Sequence, residues 1–127
     1  MRDRTLWTWH IFAGVVILVF LGLHMTIMHL NGTFPTFNNA FGGEAESWQN
    51  VAARAKSLFF TVTYVVMLGA ALFHGLFGLR GILLELNPGA GLRRSIDIAF
   101  SLAGLALFAF GAWVAVAVPG VVSRMGG

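Results

Sequence analysis

The sequence contains no cysteine and few charged residues. With no cysteine among its 127 residues, the chain cannot form disulfides, use a thiolate in catalysis or hold iron or zinc through cysteine sulfur. Charged residues make up 10% of the chain and hydrophobic residues 57%, and the mean hydropathy is +0.80. A soluble domain of this length could not bury so much apolar side chain, because too much of its surface stays in contact with water. The composition therefore predicts an integral membrane protein in a lipid bilayer.

The basic residues do not indicate nucleic-acid binding. Eight Lys and Arg residues against five Asp and Glu give a net charge of +3, but the basic residues lie at the borders of apolar runs. Membrane proteins place Lys and Arg in this way, with an excess on the cytoplasmic side. Five basic residues inside against three outside predict a cytoplasmic N-terminus. We expect the membrane to be the cytoplasmic membrane of a bacterium or archaeon. The inner set is Arg2, Arg4, Arg80, Arg93 and Arg94, and the outer set is Arg54, Lys56 and Arg124.

Three apolar segments are long enough to cross a bilayer, which requires about 20 helical residues. They are Leu6–Leu30, Ser57–Leu84 and Ile96–Val118, and they predict an all-α integral membrane fold in a single membrane-anchor domain, residues 1–127. The first run is too long for a signal-peptide core, so we expect a retained helix. A short interfacial helix is predicted at about residues 44–56.

Turn residues predict where these helices begin and end. The predicted breaks are Asn31–Asn39, Asn87–Gly89 and Pro119–Gly120, and Ser95 is the predicted N-cap of the third span. Asp97 would then lie in its first turn and complement the helix dipole. Glycines within the spans, such as Gly104 and Gly111, predict close helix–helix packing, with the close approach of a flat cofactor as the alternative.

Four histidines are the candidate functional residues: His10, His24, His29 and His74. A histidine at membrane depth is costly unless it is paired or bound to a metal, which favours a functional role. Imidazole is also the usual axial ligand of a b-type heme, and two imidazoles per iron give an electron-transfer site with no open position for oxygen. The histidines therefore predict bound heme b.

His74 is the strongest candidate ligand. Gly78 and Gly81 follow it at four and seven residues, which places a strip without side chains on the same helix face. A porphyrin edge or a neighbouring helix could use that strip. The alternative for His74 is a structural hydrogen bond.

The depth of His24 predicts a second heme. Counted from the cytoplasmic helix ends, His24 lies about 25 Å deep and His74 about 12 Å deep, a difference of roughly 13 Å. One heme cannot easily bind both, so we predict an outer heme on His24 and an inner heme on His74. Each iron would take its second imidazole from a partner helix.

The other two histidines have weaker predicted roles. His29 is turned about 140° around the helix from His24 and is an alternative outer ligand or a propionate contact. His10 lies beside Trp9 at the predicted inner interface. These two residues could contact a quinone headgroup, or His10 could be an interfacial histidine without a special role.

The segment from His74 to Glu85 carries a family resemblance. It resembles the signature H-G-x-x-G-[LIM]-R-x-[IL]-[LM]-x-[DE] of the membrane anchor subunits of succinate dehydrogenase (succinate:quinone oxidoreductase, complex II) and the related fumarate reductases. In that family the leading histidine binds heme b. His24–His29 and Val51–Arg54 are similar to the first helix, and its exit, of the two-heme members, in which helix-one histidines bind the distal heme.

The resemblance implies a non-catalytic, electron-transferring subunit of a respiratory complex of the tricarboxylic acid cycle. The chain would pair with a second membrane anchor in a roughly six-helix heme-binding bundle, with one or two hemes b shared between them. Iron–sulfur and flavoprotein subunits would dock on the cytoplasmic side, and electrons would pass between succinate and quinone with no succinate site on this chain. Arg80 would contact a heme propionate, or extend to the inner surface.

The chain departs from the family at the quinone site. Single-heme members carry an Arg and a Ser where this chain reads Trp9–Gly14, and some place Tyr where it has Leu86. Quinone contacts therefore cannot be transferred residue by residue. Two alternatives stay open: an anchor cytochrome b of a hydrogenase or formate dehydrogenase, and a heme-free anchor or small transporter whose histidines relay protons.

Overall fold

A computed structural model describes residues 2–34 and 47–125, and within them the chain is helical apart from short connections, with no strand. The helices are α1 (Arg2–Thr33), α2 (Trp48–Ala55), α3 (Leu58–Glu85) and α4 (Ala90–Arg124). Three of them are long and apolar enough to cross a membrane, over Arg4–Leu30, Leu58–Glu85 and Ala90–Val121. This confirms the prediction of an all-helical chain with three potential membrane spans.

The helices extend beyond the predicted spans. The length of an apolar run shows where a helix leaves the hydrocarbon core of the bilayer. The backbone hydrogen bonds of the helix can continue past that boundary. The helix α1 therefore starts at Arg2, four residues before Leu6, and it ends at Thr33, inside the predicted break at Asn31–Asn39. Residues 35–46, which hold the rest of that break and the predicted start of the interfacial helix, lie outside the described residues.

Two predicted boundaries of α4 are wrong. The helix starts at Ala90, after Gly89, and Ser95 lies inside it, where its hydroxyl donates to the carbonyl of Gly91 at 3.1 Å. The helix also continues through Pro119 to Arg124. Proline removes one backbone donor but does not prevent the residues after it from forming their own hydrogen bonds, and membrane helices tolerate such an interruption.

The connection between α3 and α4 confirms the predicted turn at Asn87–Gly89. Asn87 has φ 51°, in the left-handed region that asparagine tolerates better than most residues. The short helix α2 begins at Trp48, where the hydroxyl of Ser47 accepts a hydrogen bond from the backbone N–H of Asn50 at 3.4 Å.

The helix α3 lies in the middle of the arrangement. Both α1 and α4 pack against it, and α2 contacts α3 and α4. Between α3 and α4, small residues face large ones: Gly111 faces Leu68, and a Cβ on Gly104 would lie 3.0 Å from the side chain of Leu76. These two glycines therefore allow close helix packing, as predicted.

The described residues bury little side chain within the chain itself. Of their hydrophobic side chains only Ala13 and Ala52 are buried, and large apolar side chains are exposed along all three long helices. Apolar surface on this scale does not stay in water and requires lipid or another protein. The fold thus presents its helices to a surrounding apolar phase.

Candidate histidine site

The contact between α1 and α3 brings together His10 and His74. Their imidazole rings are stacked, with centroids 4.2 Å apart and planes within 2° of parallel. The side of Gly14 faces His74 and the side of Gly78 faces His10, so the two helices run antiparallel. The sequence prediction had kept His10 and His74 apart.

The His74 ring is hydrogen-bonded to the backbone of α1. Nδ1 of His74 lies 3.1 Å from the carbonyl oxygen of His10. Because a carbonyl only accepts, Nδ1 carries a hydrogen here, and in the neutral ring Nε2 then keeps a free lone pair. Metal-binding histidines have this arrangement, in which one ring nitrogen donates to a carbonyl or carboxylate and the other binds the metal.

The His10 ring is held mainly by other rings. Besides the stack with His74, it contacts Phe77, with centroids 5.3 Å apart and planes at 46°. Its Nδ1 is buried and has no hydrogen-bond partner among the described residues. A buried polar atom without a hydrogen bond costs free energy. Hydrogen bonding of its side chain therefore does not explain why His10 lies in this position.

Glycines make room for both rings. A Cβ on Gly14 would lie 3.0 Å from Cε1 of His74, and a Cβ on Gly78 would lie 3.2 Å from Cε1 of His10. The predicted strip without side chains is therefore used by a neighbouring helix at Gly78. At Gly81 nothing lies within 4 Å.

His24 and His29 lie away from this site. Both are exposed on α1. His24 follows His10 by 14 residues, about 21 Å of helix, and His74 is level with His10. The separation of His24 and His74 is thus nearer 21 Å than the predicted 13 Å, while their assignment to different depths agrees with the structure.

Arg80 points toward α4 and forms an ion pair there. Its Nε donates to Oδ1 of Asp97 at 2.6 Å, and its guanidinium carbon lies 5.9 Å from the centre of the Phe77 ring. The sequence interpretation had used Asp97 only to complement the helix dipole. An Arg and an Asp at similar depth on consecutive spans are a signal that could have revealed the pair.

Two cavities open between the helices, and neither is lined by a histidine. The larger, about 650 Å³, lies mainly between α3 and α4 and has Arg80 and Asp97 as its charged residues. The smaller, about 420 Å³, lies between α1 and α3 and is lined by apolar residues together with Trp9. A group bound to His74 would thus lie outside both cavities.

The donor atoms at the site limit what it can hold. The described residues contain no group of three or more His, Asp or Glu side chains that could hold a metal ion. A porphyrin brings four nitrogen ligands of its own and needs only axial imidazoles, so a single histidine such as His74, with no hydrogen bond described at Nε2, fits it.

The fold and the site together define an all-helical chain with three potential membrane spans and a histidine pair between two of them. Comparisons with protein-family models, with curated proteins and with solved structures find no match to this chain.

Proposed function

We propose that this chain is a heme b-binding membrane anchor subunit of a succinate:quinone oxidoreductase. The observation that carries the proposal is the contact of His74 Nδ1 with the carbonyl oxygen of His10. Its Nδ1–H is engaged by the backbone of His10, and its Nε2 lone pair is left available at membrane depth. In the resembled signature the residue at this position is the heme ligand.

The half-buried position of His74 suits a heme shared with a partner. His74 lies at the contact between α1 and α3, yet it lines neither of the two cavities described above. A heme on His74 would lie against the outside of the α1–α3 pair and take its second imidazole from another polypeptide. When bound, heme supplies one-electron transfer, and the chain contributes the axial ligand and an apolar environment.

A second heme is proposed at His24, with His29 as the alternative ligand. His24 is exposed and makes no described hydrogen bond, as expected of a ligand whose site is completed by another chain. Its distance from the His74 site, about 21 Å along the helix, leaves room for two separate hemes.

The proposed complex adds a second membrane anchor, an iron–sulfur subunit and a flavoprotein, with quinone reduced or oxidised nearby. We propose a cytoplasmic N-terminus, which would put the Arg93 end of α4 inside and the Arg124 end outside. Nε of Arg80 is engaged by Asp97, so any propionate contact of Arg80 would use its terminal nitrogens. Trp9 is exposed beside the histidine contact and stays the proposed quinone neighbour on this chain.

Heme content tests the central claim. The chain should be purified with its associated subunits and assayed as the pyridine hemochrome, in wild type and in His74→Ala, His24→Ala and His29→Ala variants. We expect His74→Ala and His24→Ala each to remove one heme and His29→Ala to remove none. A wild-type complex without Soret absorption would refute the proposal.

The subunits that co-purify test the type of complex. A flavoprotein and an iron–sulfur protein with succinate:quinone activity support a complex II. A hydrogenase or formate dehydrogenase in their place would keep the heme assignment and refute the succinate assignment.

Orientation can be measured cleanly because the chain has no cysteine. Single cysteines at Arg93 and Arg124, which are exposed near opposite ends of α4, can be labelled in intact cells with a membrane-impermeant maleimide. The proposed topology predicts labelling at position 124 and protection at position 93. The reverse pattern would overturn it.

A further inference from the structure

We propose that His10, Gly14 and Gly78 position the imidazole of His74 for its ligand. These four residues are called the reciprocal histidine contact below. The inference rests on the proposed function for the identity of the ligand. The positioning itself depends only on contacts within this chain.

The reciprocal histidine contact is built from the same spacing on both helices. A histidine is followed four residues later by a glycine in His10–Gly14 of α1 and again in His74–Gly78 of α3. Residues four apart lie on one helix face. Because the helices are antiparallel, each histidine lies beside the glycine of the other helix, and the two units interlock with approximate two-fold symmetry.

Each glycine leaves space that the histidine ring of the other helix occupies. A methyl group at Gly14 would lie 3.0 Å from Cε1 and 3.2 Å from Nδ1 of His74, closer than ordinary van der Waals contact. The His74 ring would have to move, and Nδ1 is the atom that donates to His10 at 3.1 Å. A methyl group at Gly78 would press on Cε1 of His10 and disturb the stack from the other side.

The contact therefore fixes two properties of His74 that a ligand requires. The stack sets the plane of the ring, and the hydrogen bond sets the tautomer, so Nε2 keeps its lone pair in one direction. Loss of a group that hydrogen-bonds to a metal-binding histidine typically lowers metal affinity 10–100-fold. His10 is thus a positioning residue that acts through its backbone carbonyl and through the face of its ring.

Glycine variants separate this role from general packing. Gly14→Ala and Gly78→Ala are compared with Gly22→Ala and Gly75→Ala, which lie on the same two helices with nothing within 4 Å of the added methyl. We expect the first pair to lower heme affinity at the His74 site by roughly 10–100-fold and to shift its low-spin EPR signal. The controls should match wild type. If Gly14→Ala and Gly78→Ala have the same heme affinity and EPR signal as the two control variants in the assembled complex, the positioning role is wrong.

Variants of His10 separate a positioning ring from a ligand. His10→Phe keeps a flat ring over Gly78, and any residue at position 10 keeps the carbonyl. We expect His10→Phe to retain the heme with a near-native EPR signal, and His10→Ala to lose affinity as Gly14→Ala does. If His10→Phe loses the heme as fully as His74→Ala, the His10 nitrogens are needed and the positioning assignment is wrong. If His10→Ala is indistinguishable from wild type, the ring has no such role.

A heme-independent measurement distinguishes failure of this inference from failure of the proposed function. In ¹⁵N-histidine-labelled protein prepared without heme in bilayers, the His74 signals, identified by their absence in His74→Gln, should report a single neutral Nδ1–H tautomer. Gly14→Ala should convert it to a tautomer mixture, whereas Gly75→Ala should not. If this pattern holds while the wild-type complex carries no heme, the positioning stands and the heme proposal fails. If heme is bound but the tautomer is mixed in wild type, the positioning fails.

Discussion

Replacing Arg80 by Gln should destabilise the α3–α4 contact more than replacing Asp97 by Asn, although both changes remove the same ion pair. The pair joins the two helices at 2.6 Å, with the Arg80 side chain 29% exposed and the Asp97 side chain 42% exposed. Arg80 lies five residues before the end of α3, about 7.5 Å along the axis, and Asp97 seven residues after the start of α4, about 10.5 Å. The pair therefore lies within both membrane spans but nearer their ends than their centres.

The two residues differ in how they can respond to the loss. In Asp97→Asn, the long side chain of Arg80 can extend toward the nearby end of α3 and reach water. In Arg80→Gln, the short Asp97 side chain loses its arginine partner at a depth from which it cannot extend to the end of the helix. A carboxylate at the centre of a membrane helix costs about 2.5–3.5 kcal/mol on insertion scales, and less toward the ends.

The typical energies of exposed and buried ion pairs give the expected loss of stability for each variant. An exposed ion pair is worth about 0.2–1 kcal/mol and a broken buried pair costs about 3–5 kcal/mol, so this half-exposed pair should lie between them. We expect a loss of about 2–3 kcal/mol for Arg80→Gln and about 1 kcal/mol for Asp97→Asn. The double variant, which leaves neither charge, should also lose only about 1 kcal/mol, which gives a coupling energy of about 2–3 kcal/mol in magnitude.

The assay is reversible unfolding in mixed micelles titrated with SDS and followed by tryptophan fluorescence, with the four chains compared in one double-mutant cycle. Arg93→Gln, a charge removal at an exposed position near the start of α4, is the control and should change stability by less than about 0.5 kcal/mol. Equal losses for the two single variants, or additive losses in the double variant, would show that depth and side-chain length do not determine these losses.

Three further substitutions test the helix contacts and ends by the same unfolding assay. Gly111→Ala should cost about 1–3 kcal/mol because its methyl would overlap the side chain of Leu68, whereas Gly120→Ala, with nothing within 4 Å, should be neutral. Pro119→Ala should leave stability unchanged or raise it, since the helix already continues through this position and regains a backbone donor; a loss above about 1 kcal/mol would contradict this. Asn87→Ala should cost about 1 kcal/mol because its φ of 51° disfavours a Cβ-bearing residue that lacks a polar side chain, and Asn87→Gly should not destabilise.

The spans could be predicted from sequence because apolar length is a property of each segment alone. The three predicted runs lie within the three long helices of the structure, except for Ser57, which is the N-cap of α3. Helix ends were less predictable, since they depend on backbone hydrogen bonding outside the hydrocarbon. The early start of α4 at Ala90 is the clearest case, because it moves Asp97 from the first turn to a deeper position opposite Arg80.

The histidine contact could not be predicted by counting depth. Helix α1 begins at Arg2 instead of Leu6, which places His10 two turns inside the helix and level with His74. The count treated each helix separately and therefore could not show which faces meet. A pairing signal was present in the repeated His-x3-Gly spacing, and it gains meaning only when the two helices are known to be antiparallel neighbours.

The exposure of His24 carries a consequence for how a partner reaches it. His24 follows His10 by 14 residues, which turns it only about 40° around a straight helix, so it faces nearly the direction in which His10 meets α3. His10 is half-buried there, but His24 is exposed. On the antiparallel helix α3, the residues level with His24 lie about 14 positions before His74, close to Leu58, where α3 begins. Little of α3 therefore remains to cover His24, whereas His74 is covered by the stacked ring of His10. The proposed partner would thus meet His74 at the contact between two helices and His24 on α1 alongside the beginning of α3.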